Sequence, residues 1–239
     1  MNNDEPEKRR RLVRPPTRGE TTGRGMGERL KTAEHRSLSS QQWLERQLND
    51  PFVKAAQKQG YRSRAAFKLT EIDDRYRLIR RGGRVIDLGC APGGWLQVAA
   101  QRGARAVVGV DLLAVDPVPG VEIVQADFTD SAVGPDLMAR LEGPPDLVLS
   151  DMAPNTSGHR QTDHLRIVAL IEAAADFAIE VLKPGGAFVT KAFQGGETAA
   201  VLVLLKANFN EVRHFKPKAS RPGSSELYLV ATGFRGRQA

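Results

Sequence analysis

The stretch Arg84-Val-Ile-Asp-Leu-Gly-Cys-Ala-Pro-Gly-Gly-Trp95 decides the fold of this 239-residue chain. It opens with an apolar, β-branched run that predicts a short buried strand. Gly89, Gly93 and Gly94 follow, and they allow the backbone to turn tightly and to approach a ligand without an intervening Cβ. A helix is predicted from about Trp95, so its free N–H groups face whatever lies over the loop. Strand, glycine loop and helix in this order predict an α/β sheet that holds a nucleotide-like cofactor.

The spacing of the glycines bears on which cofactor the loop holds. A dinucleotide-binding loop has the pattern G-x-G-x-x-G after its strand, whereas this loop has G-x-x-x-G-G, with Asp87 inside the strand. The pattern D-L-G-x-x-P-G-G-W resembles instead the first motif of the Rossmann-like S-adenosylmethionine methyltransferases. That resemblance implies that the loop passes close to the amino-acid end of the cofactor. A single glycine loop identifies no cofactor, so other parts of the chain must decide.

From residue 84 onward, apolar strand patterns alternate with helical ones, which is typical of a parallel sheet with crossover helices. Five strands are expected near 84–89, 105–111, 121–126, 146–151 and 186–193, and helices near 94–102, 132–142, 161–182 and 196–208. Strands near 211–216 and 225–232 follow without a helix between them and predict a hairpin added to one edge. The predicted fold class is α/β, a mostly parallel seven-stranded sheet with an antiparallel edge hairpin and helices on both faces, as in Rossmann-like class I methyltransferases.

Composition limits the classes of partner and compartment. The net charge of +7 suggests a polyanionic partner, and residues 1–36 hold ten Lys/Arg and six Asp/Glu, so +4 lies in this leader. Residues 1–38 have few large apolar groups and are predicted to be a disordered basic leader before a 39–239 domain. The chain has no long apolar run and no apolar start, so we expect no membrane span, no signal peptide and a cytoplasmic location. One cysteine and four scattered histidines predict neither a disulfide nor a metal site.

Residues 39–80 are predicted to form helices ahead of the sheet. Ser39 or Ser40 can cap a helix from about Gln41 into the fifties, with apolar residues Trp43, Leu44 and Leu48. A second helix is expected from Ser63, because one apolar stripe contains Ala65, Leu69, Ile72 and Tyr76. The opposite stripe is basic. On spacing alone this is an ordinary amphipathic helix with a solvated basic face.

Carboxylates follow several predicted strands, at the edge where open parallel sheets bind ligands. Asp87 lies in the first strand and is a candidate to brace the loop. Asp111 follows the second strand, where a carboxylate can accept both ribose hydroxyls of a cofactor, and Asp127 follows the third, with Phe128 available beside an adenine ring. Asp151 ends the fourth. Each alone could be a helix cap or a turn former, but four in succession favour a ligand site.

Two residues suggest which atom accepts the transferred group. Asp151 opens Asp-Met-Ala-Pro-Asn155, where amino-methylating enzymes often carry an aromatic residue that stacks on a base. This chain has no aromatic residue there, which disfavours a nitrogen acceptor. Lys191 ends the fifth predicted strand, so its ammonium group is expected to reach the same pocket. In isolation it would be read as a snorkelling surface lysine.

Four motifs together resemble the FtsJ-type 23S rRNA (uridine-2′-O)-methyltransferase family across roughly residues 39–235. They are S-R-A-x-F-K-L, S-D-M-A-P-N, K-x-F-Q-G and S-x-E-x-Y-x-V-A-T-G, and they place the family's catalytic tetrad at Lys68, Asp151, Lys191 and Glu226. The chain departs from the family in its longer basic leader and in Cys90 within the loop. The resemblance implies S-adenosylmethionine as cofactor, no metal, and cofactor contacts from Gly93, Trp95, Asp111, Asp127 and Asp151.

A mechanism can be written for this tetrad. A ribose 2′-hydroxyl is a poor nucleophile, so a base must remove its proton as the methyl carbon is attacked. We expect Lys191 to be that base, with Lys68 favouring its neutral form through like charge and steering the 2′-oxygen. Asp151 would orient Lys191, and Glu226 would position Lys68 or the ribose.

Basic residues flank the predicted pocket and are expected to contact RNA phosphates, with 39–80 forming part of that surface. They are Lys54, Lys58, Arg62, Arg64, Lys216, Lys218 and Arg221. The resemblance further implies a uridine of the 23S rRNA in the 50S subunit as substrate. No stable protein partner is evident from the sequence, and we expect a monomer. The alternatives are a 2′-O-methyltransferase of tRNA or of a cap, a non-catalytic ribosome-assembly factor and, least favoured by the glycine spacing, a nicotinamide-dependent reductase.

Overall fold

A computed structural model describes residues 41, 48–154, 158–194, 199–221 and 223–236 of the chain. The predicted disordered leader 1–38 lies outside these residues, as does most of the helix predicted from Gln41, with Trp43 and Leu44. Asn155 and Gly195, which belong to two of the sequence motifs, are also outside. The tetrad and the predicted cofactor residues all lie within the described part.

The sheet has seven strands in the order β3-β2-β1-β4-β5-β7-β6. Neighbours from β3 to β5 pair in parallel, and β7 is antiparallel to both β5 and β6. The strand bounds are β1 Arg84–Leu88, β2 Ala106–Asp111, β3 Glu122–Gln125, β4 Leu147–Ser150, β5 Ala187–Phe193, β6 Phe209–Phe215 and β7 Glu226–Phe234. This confirms the predicted fold class, including the antiparallel hairpin at one edge.

Six described helices cover the two faces of the sheet. Their bounds are α1 Pro51–Lys58, α2 Ala65–Tyr76, α3 Gly94–Gln101, α4 Val133–Arg140, α5 Arg160–Val181 and α6 Ala199–Asn208. Alternation along β1 divides the core, because Val85 packs with α1, α2 and α3 while Ile86 packs with α4, α5 and α6. The N-terminal helices therefore lie on the same face as the side chain of Asp87.

Helix α2 begins at Ala65, two residues later than predicted from Ser63. The predicted apolar stripe faces the core, with Leu69 and Ile72 fully buried. The helix is anchored to α3 by Arg102, which lies just past the end of α3 and donates to Asp73 at 2.6 Å and to Asp74 at 2.8 Å. This packing holds Lys68 of α2 near the carboxyl end of β5 and the amino end of β7.

Within the described residues, no helix combines the length and apolar character that a membrane crossing requires. The same residues contain no group of three or more His, Cys, Asp or Glu side chains suited to a metal ion.

Candidate functional site

Asp151 and Lys191 meet at the carboxyl ends of two adjacent parallel strands. Ser150 at the end of β4 is in register with Thr190 of β5, so the residues that follow each of them are neighbours. Lys191 Nζ donates to the backbone carbonyl of Asp151 at 2.6 Å and lies 3.2 Å from its Oδ1. Only 8% of Lys191 is exposed, so its amine is buried and it is not a snorkelling surface lysine.

Lys68 and Glu226 complete a connected set of four side chains. Lys68 projects from the first turns of α2 and donates to Glu226 Oε2 at 2.9 Å, and its Nζ lies 3.7 Å from Asp151 Oδ2. Glu226 is the first residue of β7, directly opposite Phe193 at the end of β5. The basic stripe of α2, which spacing alone would leave solvated, is thus not a solvated face at Lys68, whose side chain is 11% exposed.

Tyr228 is a fifth member of this site that the sequence analysis did not single out. It is opposite Lys191 in the β5–β7 pairing, fully buried, and its hydroxyl donates to Asp151 Oδ1 at 2.7 Å. Burial raises the pKa of Tyr228 well above its usual value, and the nearby carboxylates Asp151 and Glu226 raise it further. The hydroxyl thus keeps its proton and acts as a fixed donor. The tyrosine in S-x-E-x-Y, two residues from Glu226 and on the same face of a strand, was the available signal.

The glycine loop is closely packed from both sides. Gly93 caps the start of α3 with φ +105°, and a Cβ at Gly94 would lie 2.5 Å from Ser63 Oγ. A Cβ at Gly89, which has φ +70°, would lie 2.1 Å from Met152 Cγ. Glycine is needed at positions 89 and 94 because Met152, in the segment after β4, and Ser63, just before α2, pack directly against the loop.

The predicted cofactor residues occupy different environments. Trp95 is buried, and its indole N–H donates to the carbonyl of Ala65 at 2.8 Å, which ties α3 to α2. Asp111 lies beside the glycine loop. Its Oδ2 accepts from the amide of Ala91 in that loop at 2.8 Å, and its Oδ1 accepts from the amide of Leu113 at 2.9 Å. These contacts fix the Asp111 carboxylate at the rim of the loop.

Asp127 is exposed and held by a local turn. Its Oδ1 accepts from both the amide and the hydroxyl of Thr129, which lowers the pKa of this carboxyl. Phe128 packs edge-to-face against Phe177 with ring centroids 6.0 Å apart. Asp127 thus stands ionised just after β3, and β2 and β1 lie between β3 and β4, the strand that leads to Asp151.

Asp87 is the most unusual carboxylate in the described part of the chain. It is 2% exposed, and its Oδ2 has no hydrogen-bond partner among the described residues. Burial raises its pKa well above the usual value, and repulsion from Asp151 and Asp111 raises it further. Three carboxyl groups close enough to influence one another, with one buried oxygen of Asp87 unpartnered among the described residues, favour a positively charged ligand. S-adenosylmethionine, with its sulfonium and ammonium groups, fits this set of donors and charges.

Two of the arginines predicted to contact RNA phosphates are engaged within the protein. Arg62 donates to the carbonyls of Pro92, Asp116 and Pro117 at 2.6–3.2 Å, so it joins the glycine loop to the segment after β2. Arg64 is paired with Asp50 and donates to the carbonyl of Ala219. In this structure both side chains hold loops around the site, and their contact with RNA phosphates stays a prediction.

Comparisons with known proteins agree with this architecture. Residues 61–234 match the sequence profile of a family described as FtsJ-like methyltransferase. Proteins named Ribosomal RNA large subunit methyltransferase E from Caulobacter sp. (strain K31) and from Caulobacter vibrioides are 66% and 62% identical to the chain, each over 95% of this chain and 100% of the relative. A solved structure titled as a ribosomal RNA methyltransferase, from Plasmodium falciparum, is 32% identical, with TM-score 0.66 over 74% of this chain and 100% of the other. The chain belongs to the FtsJ-like methyltransferase family.

Proposed function

We propose that this protein transfers a methyl group from S-adenosylmethionine to the 2′-hydroxyl of a uridine in the 23S rRNA of the large ribosomal subunit. The observation that carries the proposal is the connected set formed by Lys68, Asp151, Lys191 and Glu226 beside the glycine loop. The names of relatives that are 62–66% identical support large-subunit rRNA as the substrate. A ribosomal substrate would place the reaction in the cytoplasm, and we propose that a single copy of the chain performs it.

Lys191 is proposed to accept the proton of the 2′-hydroxyl. A neutral amine has two N–H donors and one lone pair. Both the carbonyl oxygen and Oδ1 of Asp151 lie within 3.2 Å of Lys191 Nζ, so the two donors are occupied by one residue. The lone pair then points away from Asp151, where it can receive a proton.

The other three members of the tetrad orient this base and the substrate. Asp151 fixes Lys191 through its carbonyl and its carboxylate. Lys68 lies between Asp151 and Glu226, where it is proposed to steer the 2′-oxygen of the substrate. Glu226 holds Lys68 in this place at 2.9 Å. Positioning of the acceptor oxygen in line with the methyl group accounts for much of the acceleration in such a site.

The cofactor is proposed to lie over the glycine loop, held by Gly93, Trp95, Asp111, Asp127 and Asp151. When bound, S-adenosylmethionine supplies an activated methyl group and a thioether leaving group, so no metal is needed. Asp111 at the rim suits the ribose hydroxyls, and the exposed, ionised Asp127 suits the adenine amino group. Trp95 is proposed to contribute through its ring alone, since its indole N–H already donates to the carbonyl of Ala65.

The decisive experiment measures methyl transfer from labelled S-adenosylmethionine to purified 50S subunits, with free 23S rRNA and bulk tRNA in parallel. We expect the label to appear in the subunits as alkali-resistant 2′-O-methyluridine. Label on tRNA alone would keep the chemistry and reject the ribosomal substrate. Cofactor binding without label on any RNA would reject catalysis and favour an assembly factor.

Replacement of the proposed base gives the first prediction. Lys191→Ala should abolish methyl transfer, because the variant lacks the proposed base, while S-adenosylmethionine affinity stays within about threefold, or less than 1 kcal/mol. Equilibrium binding by calorimetry and single-turnover methylation measure the two effects separately. Retained turnover in this variant would reject Lys191 as the base.

A further inference from the structure

The loop between β6 and β7 is fastened to helix α2 by a carboxylate outside the tetrad. Glu71 accepts hydrogen bonds from two successive backbone amides of this loop, with Oε2 2.6 Å from the Lys218 nitrogen and Oε1 2.9 Å from the Ala219 nitrogen. The loop is buried at this point, with Ala219 at 0% and Ser220 at 4% exposure. A loop in direct contact with a helix carboxylate over two residues has little freedom to move.

The next residue of the loop reaches the tetrad. Ser220 donates its hydroxyl to Glu226 Oε1 at 2.8 Å, and the other oxygen of Glu226 accepts from Lys68 at 2.9 Å. Both oxygens of Glu226 are therefore fixed by donors from opposite sides. The amide of Glu226 also donates to Ser224 Oγ at 3.1 Å, so the backbone of this residue is held by the same loop.

These contacts form a closed ring that begins and ends on one helix. Lys68 and Glu71 are three residues apart on α2 and so lie on one face, a single turn from each other. The ring runs from Lys68 to Glu226, to Ser220, along the loop backbone to Ala219, and back to Glu71. A shift of the loop relative to α2 would therefore move the carboxylate of Glu226 relative to Lys68.

A second contact secures the same ring from the side. Arg64, one residue before α2, donates to the carbonyl of Ala219 and is paired with Asp50, the residue that caps α1. Arg221 lies 3.6 Å from the same carboxylate of Asp50. The loop thus contacts α2 through both its amides and its carbonyl, which fits a rigid support better than a mobile lid.

We propose that Glu71 and Ser220 are positioning residues for methyl transfer, acting through Glu226 on Lys68. This inference rests on the proposed function, because it assigns the tetrad as the machinery that they position. Neither residue touches the reacting atoms. Glu71 holds the loop in position against α2. Ser220, carried by that loop, orients the Glu226 carboxylate through its hydrogen bond, and Glu226 in turn holds Lys68 at its distance from Asp151.

The carboxylate form of Glu71 is what the loop requires. Two adjacent amides need two acceptor oxygens, and a glutamine side chain offers one oxygen and an NH₂ group that would face an N–H donor. Burial raises the pKa of Glu71, while the two amides oppose that shift. Glu71→Gln therefore removes one hydrogen bond with little change in volume and places two donors against each other.

The test compares Glu71→Gln and Ser220→Ala with the wild-type chain and with Asp74→Asn. Asp74 is on the same helix and pairs with Arg102, so Asp74→Asn makes the same charge change at a different ion pair and serves as a matched control. We expect kcat to fall about tenfold, or 1.4 kcal/mol, in Glu71→Gln and severalfold in Ser220→Ala, with the Kd of S-adenosylmethionine within about twofold. Asp74→Asn should keep the wild-type kcat.

A double-mutant cycle with Glu226→Gln separates positioning from general destabilisation. If Glu71 acts through Glu226, then Glu71→Gln should lower kcat no further when Glu226→Gln is already present. Full additivity, an unchanged kcat in Glu71→Gln, or an equal loss in Asp74→Asn would overturn the inference. Wild-type protein without methyl transfer would instead reject the proposed function, so the two failures are distinguishable.

Discussion

Replacing Tyr228 with phenylalanine would remove one hydroxyl from the centre of the site and leave its packing in place. The ring is fully buried, 5.8 Å from the ring of Trp95 and 5.7 Å from Lys68 Nζ, and phenylalanine keeps both contacts. What disappears is the 2.7 Å hydrogen bond to Asp151 Oδ1. Asp151 then retains Lys191 as its fixed donor on that oxygen, and the carboxylate becomes freer to rotate.

The expected magnitude follows from the kind of hydrogen bond. A bond to a charged acceptor contributes about 1.5–3 kcal/mol. Since the Asp151 side chain is 18% exposed, water can partly replace the hydroxyl, and we expect a loss of about 1.5 kcal/mol in unfolding free energy, at the lower end. For a chain of this size that corresponds to a Tm lower by roughly 3–6 °C. The looser carboxylate should also reduce kcat by about tenfold.

The assay is thermal unfolding together with single-turnover methylation of 50S subunits. Tyr61→Phe is the matched control, because Tyr61 is also buried and donates its hydroxyl to Gln101 Oε1 at 2.7 Å, away from the tetrad. That variant should lose about 1 kcal/mol of stability and keep kcat. The reasoning is refuted if Tyr228→Phe leaves both Tm and kcat at wild-type values, or if Tyr61→Phe lowers kcat as much.

Two further predictions concern the carboxylates and glycines under the loop. Because burial and repulsion from Asp151 and Asp111 raise the pKa of Asp87, its folded form favours the protonated state, and stability is lost as pH rises above the unfolded value of about 3.9. Asp87→Asn should therefore raise Tm at pH 7 but not near pH 3, while weakening S-adenosylmethionine binding. Thermal unfolding over a range of pH, with and without cofactor, measures both effects. An equal Tm change at all pH values would contradict this reasoning. Gly89→Ala should cost about 1–3 kcal/mol from φ +70° alone, with more from the Met152 contact, and a Tm equal to wild type in thermal melts would contradict it.

The sequence predicts the framework of this site better than its supports. The strands ending at Asp111 and Asp151 follow from apolar, β-branched periodicity, which depends on neighbouring residues alone. The closing hairpin follows from two such patterns without a helix between them. Arg62, in contrast, has a charge that indicates phosphate contact, yet its guanidinium binds three backbone carbonyls of other loops. Partners 30–55 residues away depend on how the loops approach in three dimensions, which no local pattern encodes.

Glu71 illustrates the same limit for the proposed support of the tetrad. In sequence it is an acidic residue on the basic stripe of α2, where it would be read as one half of a helix-surface ion pair. Its acceptor partners are backbone amides 147 and 148 residues away, and backbone groups leave no signature of residue type. Tetrad side chains can be matched to motifs because their chemistry requires particular residues, whereas their supports are set by loop geometry.

The proposed reaction also explains why Asp151 is shared by so many neighbours. Bound S-adenosylmethionine would bring one positive charge to the site, and Lys191 would gain one by taking the 2′-hydroxyl proton as the charge of the cofactor is lost. One positive charge is thus present throughout and only changes its place. Asp151 follows the strand next to the glycine loop and contacts Lys191 Nζ within 3.2 Å, so a single carboxylate can balance that charge at both stages. Since Glu226 already balances Lys68, the site needs no further counter-ion, and a fixed donor such as Tyr228 keeps the Asp151 carboxylate in place while the charge moves.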